Sequence, residues 1–197
     1  AIQLAETLVG IGEKFNKKTI AYLTNMNQPL GYKIGNWLEV EECNDAMQGN
    51  GPDDIMKLSN LLSGTMIYLG EKAGSIEEGI QRSEEVIADG SAFQKWIDIV
   101  EEQGGDSSVI KDMTTFPKAT YEFELLSKTD GYISSMNSYE IGMGSLELGA
   151  GRKSIEDIID PMAGITLKKK VGDKIAKGET ILTGYTNKPA TIETVTG

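Results

Sequence analysis

The chain has 197 residues, 39% of them hydrophobic, which suffices for one large or two small globular domains with a real core. Its formal net charge of -11 would set it against a phosphate backbone or an anionic bilayer, so neither nucleic acid nor membrane is expected as a partner. With no histidine, imidazole acid/base chemistry, histidine metal ligands and Ser-His-Asp triads are excluded, and the single cysteine, Cys43, forms no internal disulfide, which fits a cytoplasmic setting.

The opening AIQLAETLVGIGEKF reads as an amphipathic helix with Leu4, Leu8, Ile11 and Phe15 on one stripe. A chain that starts inside a helix without Met is expected to be a fragment of a longer protein. KKTIAYLT, residues 17–24, has the texture of a buried strand, and a strand after an amphipathic helix suggests an α/β layer. The turn-forming stretch NQPLGYKIG follows, just past the strand's C-terminal end, where open α/β sheets tend to bind ligands.

A helix is expected from about Asn36 to Met47. Its Glu39 and Glu42 are three apart and share a face, while Glu41 points elsewhere. A solvated helix face is the ordinary reading. The sharper one turns a single glutamate back toward the loop carbonyls of residues 30–33, because carbonyl oxygens with one carboxylate are what a hard cation prefers. Cys43, beside these carboxylates, is expected to have its thiol pKa raised by their charge.

Pro52, at a first helical position, opens the next helix with Asp53 and Asp54 in the first turn and Ile55, Leu58, Leu62 and Leu69 on its buried face. Two more helices have capping-box starts, Ser75 with Glu78 and Ser91 with Gln94. Ile76, Ile80 and Ile87 line one, and Phe93, Trp96, Ile97 and Val100 line the other, as scaffold rather than ligand contacts.

Residues 104–120 carry turn formers without a period and mark a boundary. This divides the chain into a helix-rich part, 1–115, and a part of short strands, 116–197, in which 138–149 is the one helix. VGDKIAKGE places turns between short apolar runs, as a small β-sandwich requires. Gly142, Gly144, Gly149 and Gly151 fit neither the dinucleotide nor the P-loop spacing and read as close packing of a helix on a sheet, with Arg152 free to meet a carboxylate or an anion. Lys168, Lys169 and Lys170 read as a solvated β edge. A non-catalytic, lipoyl-like binding or structural module is the rival to an enzymatic reading, although no lysine stands in the setting of an exposed, modifiable hairpin tip.

Two long motifs in order carry a resemblance that covers nearly the whole chain. LTNMNQPLGYKIGNWLEVEECNDAMQGNGPDD and the distal DGYISSMNSYEIGMGSLELGAGRKSIEDIIDPMAGITLKKKVGDKIAKGETILTGYTN resemble the pyrimidine-nucleoside and thymidine phosphorylases. The resemblance implies the C-terminal part of the α/β domain of a nucleoside phosphorylase, followed by a small α+β C-terminal domain with short antiparallel strands. It implies reversible phosphorolysis of pyrimidine nucleosides to free base and pentose 1-phosphate, by a homodimeric enzyme with no organic cofactor. The groups that hold phosphate and base lie in the family's other half, so no catalytic or substrate-binding residue is assigned here and this piece alone is expected to be inactive. The family also holds a potassium or calcium ion near its phosphate loop. Carried over, its ligands in this chain are the main-chain carbonyls of Leu30 and Lys33 and the carboxylate of Glu42. The family usually has a small residue at position 33; a main-chain carbonyl tolerates the lysine, but a nearby ammonium weakens cation affinity.

Overall fold

The structure is a computed structural model and describes residues 1–196. The first helix, α1 (Ile2–Lys14), forms where the periodicity places it. Its apolar stripe nevertheless faces outward, Leu4 being 64% and Phe15 74% exposed. The strand expected over residues 17–24 does not form: the segment has no regular secondary structure and pairs with no strand among the described residues. Apolar texture can only propose a strand, because a strand persists where a neighbour takes up its backbone donors and acceptors.

The loop through residues 25–32 leads into β1 (Lys33–Ile34) and then α2 (Asn36–Met47), with the bounds expected from sequence. Helix α3 (Asp53–Leu69) has Pro52 as its N-cap, one residue earlier than expected. Its buried positions are Asn60, Gly64 and Thr65, whereas Leu62 is 42% exposed. This departs from the expected leucine face because α3 packs tightly on α4 (Ile76–Ala88): a Cβ on Gly64 would meet the backbone N of Ile80 at 2.5 Å, and one on Gly79 would collide with the carbonyl O of Gly64. Hydroxyls and an amide line the same contact, with Ser83 Oγ donating to Asn60 Oδ1 at 2.8 Å.

Ser75 caps α4 as expected, accepting from the Glu78 amide at 3.1 Å, but Glu78 reaches back to the amide of Gly74 rather than of Ser75. Helix α5 (Ser91–Glu102) has no Ser91 cap: Gly90, in the left-handed region at φ 80°, is the N-cap, and Asp89 takes the Ser91 amide. Gly90 thus ends one helix and opens the next, and the serine falls inside. Phe93, Trp96 and Val100 are half-buried and Ile97 buried, as the stripe requires.

Beyond α5 the connection holds one short helix, α6 (Ser108–Lys111), and a 3₁₀ turn at Met113–Thr115, with no continuous helix through it. The rest is β2 (Tyr121–Leu126), β3 (Gly131–Tyr132), α7 (Ser138–Ser145), β4 (Gly164–Leu167), β5 (Lys174–Ile175), β6 (Thr180–Thr186) and a terminal α8 (Ile192–Thr196). Helix α7 continues as a π-helical turn over Leu146–Ala150, and α8 is a second helix where one was expected. Strands β1-β4-β6-β2 form an antiparallel sheet and β3-β5 a separate two-stranded ladder. The core is built on this sheet from Leu148, Ala163, Ile165 and Leu167, with Tyr32, Ile34 and Phe123 packed against it. Mixed helix and antiparallel sheet is the expected combination of an α/β part with a small α+β domain.

Candidate functional site

The loop that ends in β1 is held from beneath by α2. Glu42 is only 5% exposed, and its carboxylate accepts from the amides of Tyr32 at 2.9 Å and Lys33 at 3.4 Å. Gly31, at φ 67°, leaves the room: a Cβ there would collide with Glu42 Oε2 and press on Ile55. Burial pushes the Glu42 carboxyl up, and the two amides and the Lys33 charge pull it back only in part. A glutamate does turn back to this loop, then, and Glu39, which reaches the Gly35 amide at 3.2 Å, is the exposed member of the pair. The groups Glu42 meets are amides and not carbonyls. The Leu30 carbonyl accepts no hydrogen bond among the described residues. A buried carboxylate and an open carbonyl on the loop it braces are both oxygen donors of the kind a hard cation takes, though only part of a shell. Among the described residues no group of three or more acidic or thiol side chains converges on a metal position.

Lys33 does not turn its ammonium on Glu42. It pairs with Glu41 at 3.1 Å, and Glu41 also accepts from Trp37 Nε1 at 3.1 Å. Trp37 in turn stacks on Phe116, ring centroids 3.6 Å apart, which ties the connection to α2. Cys43 lies at the surface of α2; partial enclosure of its sulfur first, and Glu39 and Glu42 second, push its thiol up, so the direction expected from charge is right and its main cause is burial.

The lysine run is not a solvated edge. Lys168 is exposed, but Lys169 pairs with Glu179 at 2.5 Å, and Lys170 is 7% exposed. Its ammonium donates to the Pro29 carbonyl at 2.5 Å and to Asp54 Oδ2 at 2.9 Å, and lies 5.0 Å from the centre of the Tyr32 ring. Asp54 also accepts from the Gly31 amide at 3.2 Å. Burial works against the Asp54 charge, but the bonds from Lys170, Gly31 and Ile55 outweigh it and hold this carboxyl below the usual range. Asp54 and Lys170 were not legible as partners: they lie 116 positions apart, and the aspartate has an adequate local reason in the first turn of a helix.

In the glycine-rich stretch, Gly142 and Gly144 sit within α7, and a Cβ on Gly142 would meet open space. Close packing is therefore not what that residue supplies. Arg152 is exposed and makes no ion pair among the described residues. No helix among them is long and apolar enough to cross a membrane.

Comparison with known proteins matches residues 1–93 to the glycosyl transferase family a/b domain and residues 132–196 to the pyrimidine nucleoside phosphorylase C-terminal domain. The chain is 44% identical over 185 residues to a pyrimidine-nucleoside phosphorylase of Geobacillus stearothermophilus, covering 94% of this chain and 43% of that protein. Against the protein of the same name from Bacillus subtilis (strain 168) it is 42% identical over 188 residues, covering 95% and 43%. Staphylococcus haemolyticus (strain JCSC1435) has another, 42% identical over 185 residues, covering 94% and 43%. The chain thus spans less than half the length of these curated relatives.

Proposed function

From the premise that this chain belongs to the pyrimidine-nucleoside phosphorylase family, we propose that the intact protein catalyses reversible phosphorolysis of pyrimidine nucleosides. Phosphate would attack the anomeric carbon, giving free base and pentose 1-phosphate. The observation that carries this reading is continuous similarity over 94% of the chain, running through both the Glu42-braced loop and the lysine-strapped β4–β5 turn. Catalysis of this kind depends on oriented charge around phosphate and an oxocarbenium-like centre. This chain supplies scaffold for that charge and not the charge itself. We further propose that the enzyme works as a cytoplasmic homodimer divided near residues 115 and 116, without organic cofactor.

A potassium or calcium ion belongs to the same proposal, with Leu30 and Lys33 carbonyls and Glu42 as this chain's share of its ligands. The buried carboxylate and the open Leu30 carbonyl support it, and the pairing of Lys33 with Glu41 lessens, without removing, the opposition of a nearby ammonium, whose charge still acts on Glu42. Such an ion would contribute positive charge and rigidity beside the phosphate.

The test is direct. Intact protein incubated with uridine or thymidine and phosphate should release base, and the 197-residue chain alone should release none. Base release by the chain alone would overturn the assignment of the chemistry to residues outside it. In the intact protein Glu42→Gln should keep the fold and weaken the response of activity to potassium or calcium, because the amide retains an oxygen and loses the charge. An unchanged cation response would remove Glu42 from the ligand set.

A further inference from the structure

We infer that Lys170 is a positioning residue: with Asp54 it aims the Leu30 carbonyl, so that a turn of the C-terminal sheet sets the geometry of the loop above Glu42. The argument runs through one peptide plane. Leu30 C=O and Gly31 N–H belong to the same peptide unit, and no peptide bond among the described residues is cis. In a planar trans unit the carbonyl and the amide point in opposite directions. Gly31 N–H is fixed on Asp54 Oδ2, so the Leu30 oxygen points away from Asp54. The preceding carbonyl, of Pro29, is fixed on the Lys170 ammonium. Both flanks of Leu30 are therefore tied to one ion pair, whose lysine is buried and whose aspartate is half-buried.

The ammonium arrives on a rigid support. The Lys170 amide donates to Asp173 Oδ2 at 2.8 Å within the turn, and the Val171 amide donates to Gln28 Oε1 at 3.1 Å, a second tie between turn and loop. From the other side Glu42 holds the next two amides, of Tyr32 and Lys33. Four consecutive backbone positions, 30 to 33, are thus set by a lysine–aspartate pair on one flank and a glutamate on the other. An ammonium here does for Pro29 what a bound cation would do for Leu30, and it cannot dissociate.

The strap stands on these contacts; its effect on cation binding rests on the function proposed above, and the experiment separates the two. Amide hydrogen exchange is measured on the intact protein as wild type, Lys170→Met, Asp54→Asn and the double variant, together with the potassium concentration giving half-maximal activation. Exchange at Gly31 should speed up roughly tenfold in each single variant, the loss of about one hydrogen bond's protection, and no further in the double variant. Amides of α4 should be unchanged, and half-activation should move to severalfold higher potassium. Equal acceleration in α4 would show a merely structural role and overturn the proposal, as would an unchanged Gly31 amide or fully additive effects. Faster exchange at Gly31 in variants of an enzyme whose wild type ignores potassium would support the strap and overturn the cation reading instead.

Discussion

Two carboxylates within one loop's reach, Glu42 buried and Asp54 half-buried, have opposite shifts, and this fixes how stability should depend on pH. Asp54 is depressed, so its contribution is present above the unfolded-state pKa and is lost as pH falls through the folded value. Glu42 is raised, so the stability it contributes is present below the unfolded pKa and is lost as pH rises through its folded value. Asp54→Asn should therefore flatten the acid limb of a melting-temperature series, and Glu42→Gln should flatten the decline just above the usual glutamate range. Parallel curves for wild type and either variant would contradict the corresponding assignment. Helical spacing puts Glu39 and Glu42 on one face and cannot choose between them; the family resemblance singled out Glu42, and only the turn of some glutamate back onto the loop was legible from residue types. That it would meet amides was not, because the choice depends on how each peptide plane is rotated, and Gly31 at φ 67° has rotations open to it that other residues lack.

Among the elements, the crossing of α3 and α4 depends on the absence of side-chain atoms. Gly64→Ala or Gly79→Ala puts a methyl where backbone already lies, and each should cost about 1–3 kcal/mol in urea unfolding. Gly142→Ala is the contrasting case: its Cβ would enter open space within α7, so the helix should gain about 0.5–1 kcal/mol. Equal effects at all three positions would refute the packing account. Helix α2 was readable, with approximate bounds that the structure meets, because its pattern and its glycine stops are local. The buried face of α3 was not, since an apolar count favours leucines while a close crossing selects glycine, serine and asparagine. Residues 17–24 failed for a related reason: their sequence is suited to a sheet, and a sheet is a property of neighbours.

On the scale of the whole molecule, the weakest point of the backbone should be the exposed Gly104, Gly105 and Asp106, ahead of the stretch where Phe116 is anchored on Trp37. Limited proteolysis should cut there first. Primary cleavage inside α3 or β6 would contradict the division of the chain. Such a cut need not release anything, because β1 reaches across it as the outer strand of the sheet, pairing Lys33 with Thr166 and Ile34 with Ile165. Ser138 Oγ on the Met26 carbonyl and Lys170 on Pro29 cross the same line. A nicked molecule should migrate as two bands under denaturing conditions and elute as one species natively. The two pieces, produced from separate genes, should find each other in solution and re-form the loop that neither can shape alone.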